Sequence, residues 1–220
     1  MTIHLHYFPS NASFAPHVLL EELGVPFQLD LVKRDEGALT SPEYLAMNPN
    51  GLIPVLVDGD TVLYETAAIL LHLADTHPAS KLAPRMASAE RAQFYKWLIW
   101  LTNTLQPALI AYFYPHRWVA EGNIDGTAEV KAAAEARVGP LLDQLEAQFA
   151  RNLENAAGPW LLGADYSAAD PLCLMLCRWT RNFSRPARSL PLTGAYLQRM
   201  LARPAVQRAI ATEALPQPYV

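Results

Sequence analysis

Basic runs, membrane-length apolar runs and a glycine-rich loop are all missing from this sequence, and cysteine is scarce. The 17 Lys and Arg are outnumbered by 21 Asp and Glu. No basic stretch is long enough to neutralise a series of phosphates, which argues against a nucleic-acid ligand. No apolar run approaches the roughly 20 residues of a membrane span, and the opening segment alternates polar and apolar residues without a cationic start, so neither a membrane partner nor a secretory signal is expected. No glycine-rich loop follows the first expected strand, which leaves dinucleotide and phosphate enzymes without support. The two cysteines, Cys173 and Cys177, share one face of an apolar helical segment. Consecutive turns of a helix make poor disulfide geometry, and further metal ligands are not nearby, so both read as small core residues of a cytoplasmic chain with no metal site.

What is present is apolar residues, 51% of the 220 positions, enough for one large core or two smaller ones. Alternation from Ile3 to Tyr7 predicts a strand, Pro9-Ser10-Asn11 breaks it, and helical spacing runs from Phe14 to Leu23 and stops at Gly24. Residues 25–32 read as a second strand, making an opening βαβ unit with a parallel pair. Ser41-Pro42-Glu43 has the form of a helix start, a cap followed by proline in the first turn, and Asn48-Pro49 ends that helix. Residues 53–57 and 61–63 form a hairpin about Asp58-Gly59, followed by a helix over 66–77. The order is βαβ, α, ββα. A proline-bounded connection follows, and beyond it the pattern is helical, with long amphipathic runs over 88–114 and 127–153. Pro107 and Gly139-Pro140 are expected to kink or divide these runs. Ser167 and Asp170 have capping-box spacing before the next apolar run, with Pro171 placed awkwardly beside them.

The most informative stretch is Asn48-Pro49-Asn50-Gly51-Leu52-Ile53-Pro54-Val55-Leu56, followed after the hairpin by Glu65-Thr66-Ala67-Ala68-Ile69. These segments resemble the glutathione transferase family, which carries an NPxGxxPxL stretch and an E[ST]xAI helix start at this separation. The resemblance spans essentially the whole chain, including Tyr166-Ser167-Ala168-Ala169-Asp170. It implies an α/β thioredoxin-like N-terminal domain over 1–78, a linker over 79–85 and an all-α C-terminal domain over 86–220. It also implies glutathione as co-substrate rather than a bound cofactor, a small electrophile as second substrate, and a homodimer.

The same resemblance implies a cis bond between Ile53 and Pro54, turning the Ile53 backbone outward to pair with an extended peptide. Glu65 and Thr66 then have a physical role, because a helix N-terminus offers free N–H groups and a positive dipole end to the γ-glutamyl carboxylate. The Thr66 hydroxyl adds a donor, and the Glu65 carboxylate can hold the ammonium. Taken alone, the dipeptide would be a helix cap and a solvated acid; the proline strand at the right distance favours the binding role. Lys33, with Arg34 beside it, is the candidate partner for the glycine carboxylate.

Residues 7–17 resemble the beta class of bacterial transferases, which carry a YxPxxCSxxPH pattern. Ala12 stands where that class has cysteine, so the mixed disulfide is not available. Catalysis needs a thiolate, and a thiol of pKa about 8.5 is mostly protonated at neutral pH, so a hydrogen-bond donor at sulfur is required. Ser13 is the preferred donor, although it also reads as an ordinary N-cap. Tyr7 is the second choice and Asn11 the third. The aromatic group Tyr112, Phe113, Tyr114, His116 and Trp118 is a candidate electrophile pocket, with Tyr112 and His116 foremost. Core packing is the plainer role for such residues. A dimer would explain the apolar face that carries Trp97 and Trp100, as would packing within the chain. Leu52 replaces a glutamine, and Gln106-Pro107 a His-Lys pair, that are common in the beta class.

Overall fold

The computed structural model describes residues 2–220. Four strands, β1 (Ile3–Tyr7), β2 (Phe27–Leu31), β3 (Val55–Asp58) and β4 (Thr61–Tyr64), form one sheet in the order β2-β1-β3-β4. β1 and β2 are parallel; β3 runs antiparallel to both β1 and β4. The parallel pair requires a crossover, which α1 (Phe14–Leu23) supplies. Its chain reverses at Gly24, whose φ of 65° is left-handed and whose N–H closes on the Leu20 carbonyl. α2 (Pro42–Met47) starts as its sequence dictates, with Ser41 Oγ accepting the Tyr44 N–H, and α3 (Thr66–Thr76) follows β4 directly. Leu5, Leu19, Leu20, Leu56, Ile69, Leu70 and Leu73 are fully buried. Each such side chain contributes about 1.5–3 kcal/mol relative to exposure.

After the sheet the chain is almost entirely helical: α4 (Ala89–Trp100), α5 (Gln106–Phe113), α6 (Ile124–Glu154), α7 (Ala169–Trp179), α8 (Pro191–Leu201) and α9 (Pro204–Thr212). The thioredoxin-like sheet domain and the helical region are the fold class that the sequence resemblance implies. By contacts the chain divides into two compact units. One joins residues 2–84 with 167–175 and 200–217; the other holds 85–166, 176–199 and 218–220. Within the first unit, α1 packs against both α3 and α9.

The prolines behave differently from each other. Before Pro107 the helix widens into a π turn over Leu101–Leu105, and the Gln106 N–H reaches back to the Leu101 carbonyl. Of the two outcomes expected at Pro140, a kink or a division, the division does not occur: α6 runs for 31 residues through it. Pro140 and Ala136 are both exposed, so the carbonyl left without a donor faces water. The opposite face keeps Val138, Leu141, Leu142 and Leu145 buried, and that burial carries the helix through. At α7, Asp170 Oδ2 accepts the Ser167 N–H at 2.8 Å and its hydroxyl at 3.1 Å. Pro171 falls in the first turn, where its missing N–H removes no intrahelical bond. Cys173 and Cys177 are buried, and no disulfide joins them.

Candidate functional site

Sheet register gathers the residues of interest at one end. The last β1–β3 pair is His6 with Val55, so the chain leaves β1 at Tyr7 alongside the chain that enters β3 through Ile53 and Pro54. Tyr64 pairs with Val55 at that end and leads straight into Glu65 and Thr66. On the other flank the Val32 N–H donates to the Tyr7 carbonyl at 2.9 Å, placing Lys33 at the same edge. Val32, Tyr44, Ile53 and Val55 make a buried cluster against which Phe8 packs.

The Ile53-Pro54 bond is cis. The loop before it is held by side chains. The buried Asn48 carboxamide donates to the Leu52 carbonyl at 2.8 Å and accepts the Asn50 N–H at 3.0 Å. Tyr44 donates its hydroxyl to the same Leu52 carbonyl at 2.9 Å, and burial pushes its pKa up to about 12. Gly51 adopts φ 60°, and a Cβ there would meet the Leu39 carbonyl oxygen at 2.9 Å, so the turn excludes a side chain.

Glu65 stands at the N-terminal end of α3 with φ 73°, a conformation that a non-glycine residue holds at a strain of roughly 1–3 kcal/mol. Its carbonyl accepts the Ile69 N–H, its carboxylate is exposed, and it makes no ion pair among the described residues. Thr66 is largely buried, and its hydroxyl makes no hydrogen bond among the described residues. The first turn of α3 therefore presents N–H groups, an uncommitted hydroxyl and an uncommitted carboxylate together. Lys33 lies exposed, 3.1 Å from Glu36, a pair of little energetic weight that leaves it free to turn. The Arg34 guanidinium lies over the Phe8 ring at 5.0 Å.

Residues 8–13 form the turn between β1 and α1. The preferred thiol partner, Ser13, is fully buried, its Oγ accepting the Phe8 N–H at 3.2 Å and donating to the Phe8 carbonyl at 3.1 Å. Those two bonds close the turn and leave the hydroxyl no open side. Tyr7 is half-buried, its ring 6.4 Å from that of His17. Asn11 Oδ1 accepts the Ala12 N–H at 2.7 Å. Two participants carried no local signal. Glu213, beyond α9, is buried; its Oε2 accepts the Ser10 N–H at 2.9 Å, and its Oε1 lies 2.9 Å from His17 Nδ1. Ser10 itself has φ 62°.

In the second unit Tyr112 and His116 have different immediate neighbours. The Tyr112 ring packs on Phe183 at 4.2 Å, with Lys131 4.9 Å from its centroid. His116 is exposed and lines an open hollow of about 410 Å³ with Val119, Asn123, Ile124 and Thr127. Trp97 is buried within its own unit and Trp100 donates its indole N–H to Gln144 Oε1 at 3.2 Å, so packing inside the chain accounts for most of that face. Among the described residues no three His, Cys, Asp or Glu are grouped to hold a metal, and no helix is long and apolar enough to cross a membrane.

A proline-led strand beside an open helix N-terminus on a four-stranded mixed sheet defines a thioredoxin-like domain. Comparison with known proteins is specific within that class. The family model for the glutathione S-transferase N-terminal domain matches residues 9–76. A glutathione S-transferase of Xanthomonas campestris is 30% identical over 212 residues, covering 96% of this chain and 98% of its own. A crystal structure of a Sulfitobacter glutathione transferase homologue with bound glutathione superposes with a TM-score of 0.86 at 27% identity, covering 97% and 99% of the two chains. The beta-class glutathione S-transferase of Sphingomonas chungbukensis gives 0.78 at 30% identity, covering 97% and 100%. The chain belongs to the glutathione transferase family.

Proposed function

We propose that this protein conjugates reduced glutathione to small hydrophobic electrophiles, with the peptide bound at the sheet end formed by residues 8–13, 53–54 and 65–66. The observation that carries this reading is the open first turn of α3, where Glu65 is held at φ 73° with an uncommitted carboxylate beside the uncommitted Thr66 hydroxyl. The γ-glutamyl carboxylate meets the α3 N–H groups and Thr66, its ammonium meets Glu65, and the cysteinyl backbone lies along Ile53 and Pro54. Lys33 turns from Glu36 toward the glycine carboxylate. Bound glutathione in the Sulfitobacter homologue supports the ligand.

The sulfur then lies by the turn after β1. Its S–H proton passes to solvent, its lone pair forms the new carbon–sulfur bond, and the leaving group departs with the electron pair of the bond that breaks. A donor in that turn stabilises the thiolate. The bonds of Ser13 to Phe8 favour a structural role for its hydroxyl, so that another donor of the turn faces sulfur.

The test is retention on immobilised glutathione together with conjugation of chlorodinitrobenzene. Wild type is retained and turns over, while Glu65→Ala is lost from the resin; a Glu65→Ala protein retained as well as wild type would sink the binding mode. Of the electrophile candidates, His116 has the accessible position, so His116→Ala raises the KM for the electrophile, whereas Tyr112→Phe leaves that KM near wild type. A homodimer is part of the proposal, checked by sedimentation at twice the 24.4 kDa chain mass.

A further inference from the structure

We propose that Ser10, rather than Ser13, is the hydroxyl that donates to the glutathione sulfur, an assignment that rests on glutathione binding at the sheet end described above. The donors of residues 7–13 differ in what already holds them and in where their side chains lie. Ser13 has both hydroxyl roles filled by Phe8 and no exposure. Tyr7 shares a face of β1 with Ile3 and Leu5, both buried, and its ring lies against the buried His17. Asn11 is held by its backbone, its N–H to the Phe8 carbonyl at 3.2 Å and its carbonyl to the Phe14 N–H at 3.0 Å, and its Oδ1 accepts the Ala12 N–H at 2.7 Å, which fixes the direction of its carboxamide. Ser10 is half-exposed, and its hydroxyl makes no hydrogen bond among the described residues.

The backbone of Ser10 supplies an independent argument. At φ 62° it occupies the left-handed region, where an L side chain brings roughly 1–2 kcal/mol of steric penalty and glycine none. The turn needs only the backbone shape. A side chain placed there at that penalty points to a use for the side chain, because such strain gathers where function holds it. The strain is held in place: the Ser10 N–H donates to Glu213 Oε2 at 2.9 Å, and the other oxygen of that buried carboxylate lies 2.9 Å from the buried His17. A carboxylate anchored from behind fixes the Ser10 backbone and so limits where its Cβ and hydroxyl can go. Phe8, two residues earlier, packs against the buried cluster that includes Ile53 and Val55, which puts this turn beside the strand that would hold the cysteinyl group.

The chemistry is donation without proton transfer. The Ser10 O–H stays intact and hydrogen-bonds the thiolate, the thiol proton leaves to water, and the bound thiol pKa falls because the charged form gains a partner that the neutral form does not need.

The experiment compares Ser10→Gly and Ser10→Ala with wild type. Glycine relaxes the backbone and alanine keeps the strain, yet both remove the hydroxyl. Ultraviolet thiolate absorbance titrates bound glutathione, calorimetry follows S-methylglutathione, which has no ionisable sulfur, and chlorodinitrobenzene reports turnover. The expected result is that both variants bind S-methylglutathione as wild type does, raise the bound thiol pKa alike, and lose about 10–100-fold in kcat/KM below that pKa. Wild-type thiol pKa and turnover in Ser10→Gly overturn the proposal, whether or not Ser10→Ala is impaired, and leave the glutathione site standing. Failure of wild type to bind S-methylglutathione overturns the site and Ser10 together.

Discussion

Tyr44 and Asn48 show how individual side chains prepare the peptide-binding strand without touching a ligand. Both donate to the Leu52 carbonyl, immediately before Ile53 and the cis bond to Pro54. Removing one of two donors to one acceptor costs less than leaving a buried group with none. Tyr44→Phe is therefore expected to lower stability by about 1 kcal/mol at neutral pH, read by urea unfolding. The pH dependence follows from burial. The unfolded chain releases the phenolic proton near 10.0, whereas the folded chain keeps it to about 12. Below both values protonation is the same in the two states. As pH rises between them the unfolded state alone gains by ionising, so stability falls through that window. Wild type should show this alkaline loss and Tyr44→Phe should lack the Tyr44 share; equal slopes for the two proteins would contradict the buried phenol.

At the scale of elements, the turn from β1 into α1 is set by a residue far along the chain. Local sequence supplies the strand, the break at Pro9-Ser10-Asn11 and the helix ending at Gly24, and all three form where periodicity and turn chemistry place them. It does not supply the carboxylate behind the turn. Glu213 follows α9, which packs on α1, and brings its charge to Ser10 and His17 inside the unit. Glu213→Ala leaves the buried His17 ring nitrogen and the half-exposed Ser10 N–H without this partner and is expected to lower stability by about 1–3 kcal/mol. Glu213→Gln, which can keep the Ser10 contact, should lose less. Urea unfolding of both variants measures the difference, and a Glu213→Ala protein as stable as wild type would show that the contact does not hold the turn. α6 teaches the complementary lesson. Pro140 reads locally as a break, but burial of Val138, Leu141, Leu142 and Leu145 on one face outweighs one absent hydrogen bond on the other.

For the whole molecule, the first compact unit is not an N-terminal segment that stands alone. It includes 167–175 and 200–217, so a fragment of residues 2–84 lacks α9 and Glu213 and leaves exposed the face of α1 that α9 covers. Such a fragment is expected to show no cooperative thermal transition by circular dichroism where the full chain shows one; a sharp melt in the fragment would contradict that dependence. The sequence by itself determined the strand and helix order, the start at Ser41, the proline strand and the Glu65-Thr66 motif, because each rests on periodicity, a cap or a motif a few residues long. Tertiary structure alone decided that the Ser13 hydroxyl turns inward to Phe8, that Ser10 sits left-handed against Glu213, and that the Tyr112 ring packs on Phe183. Those outcomes depend on which side of a turn is buried and on contacts nearly two hundred residues apart, as between His17 and Glu213, and hydrophobic burial, which is non-directional along the chain, chooses such partners only once the elements pack.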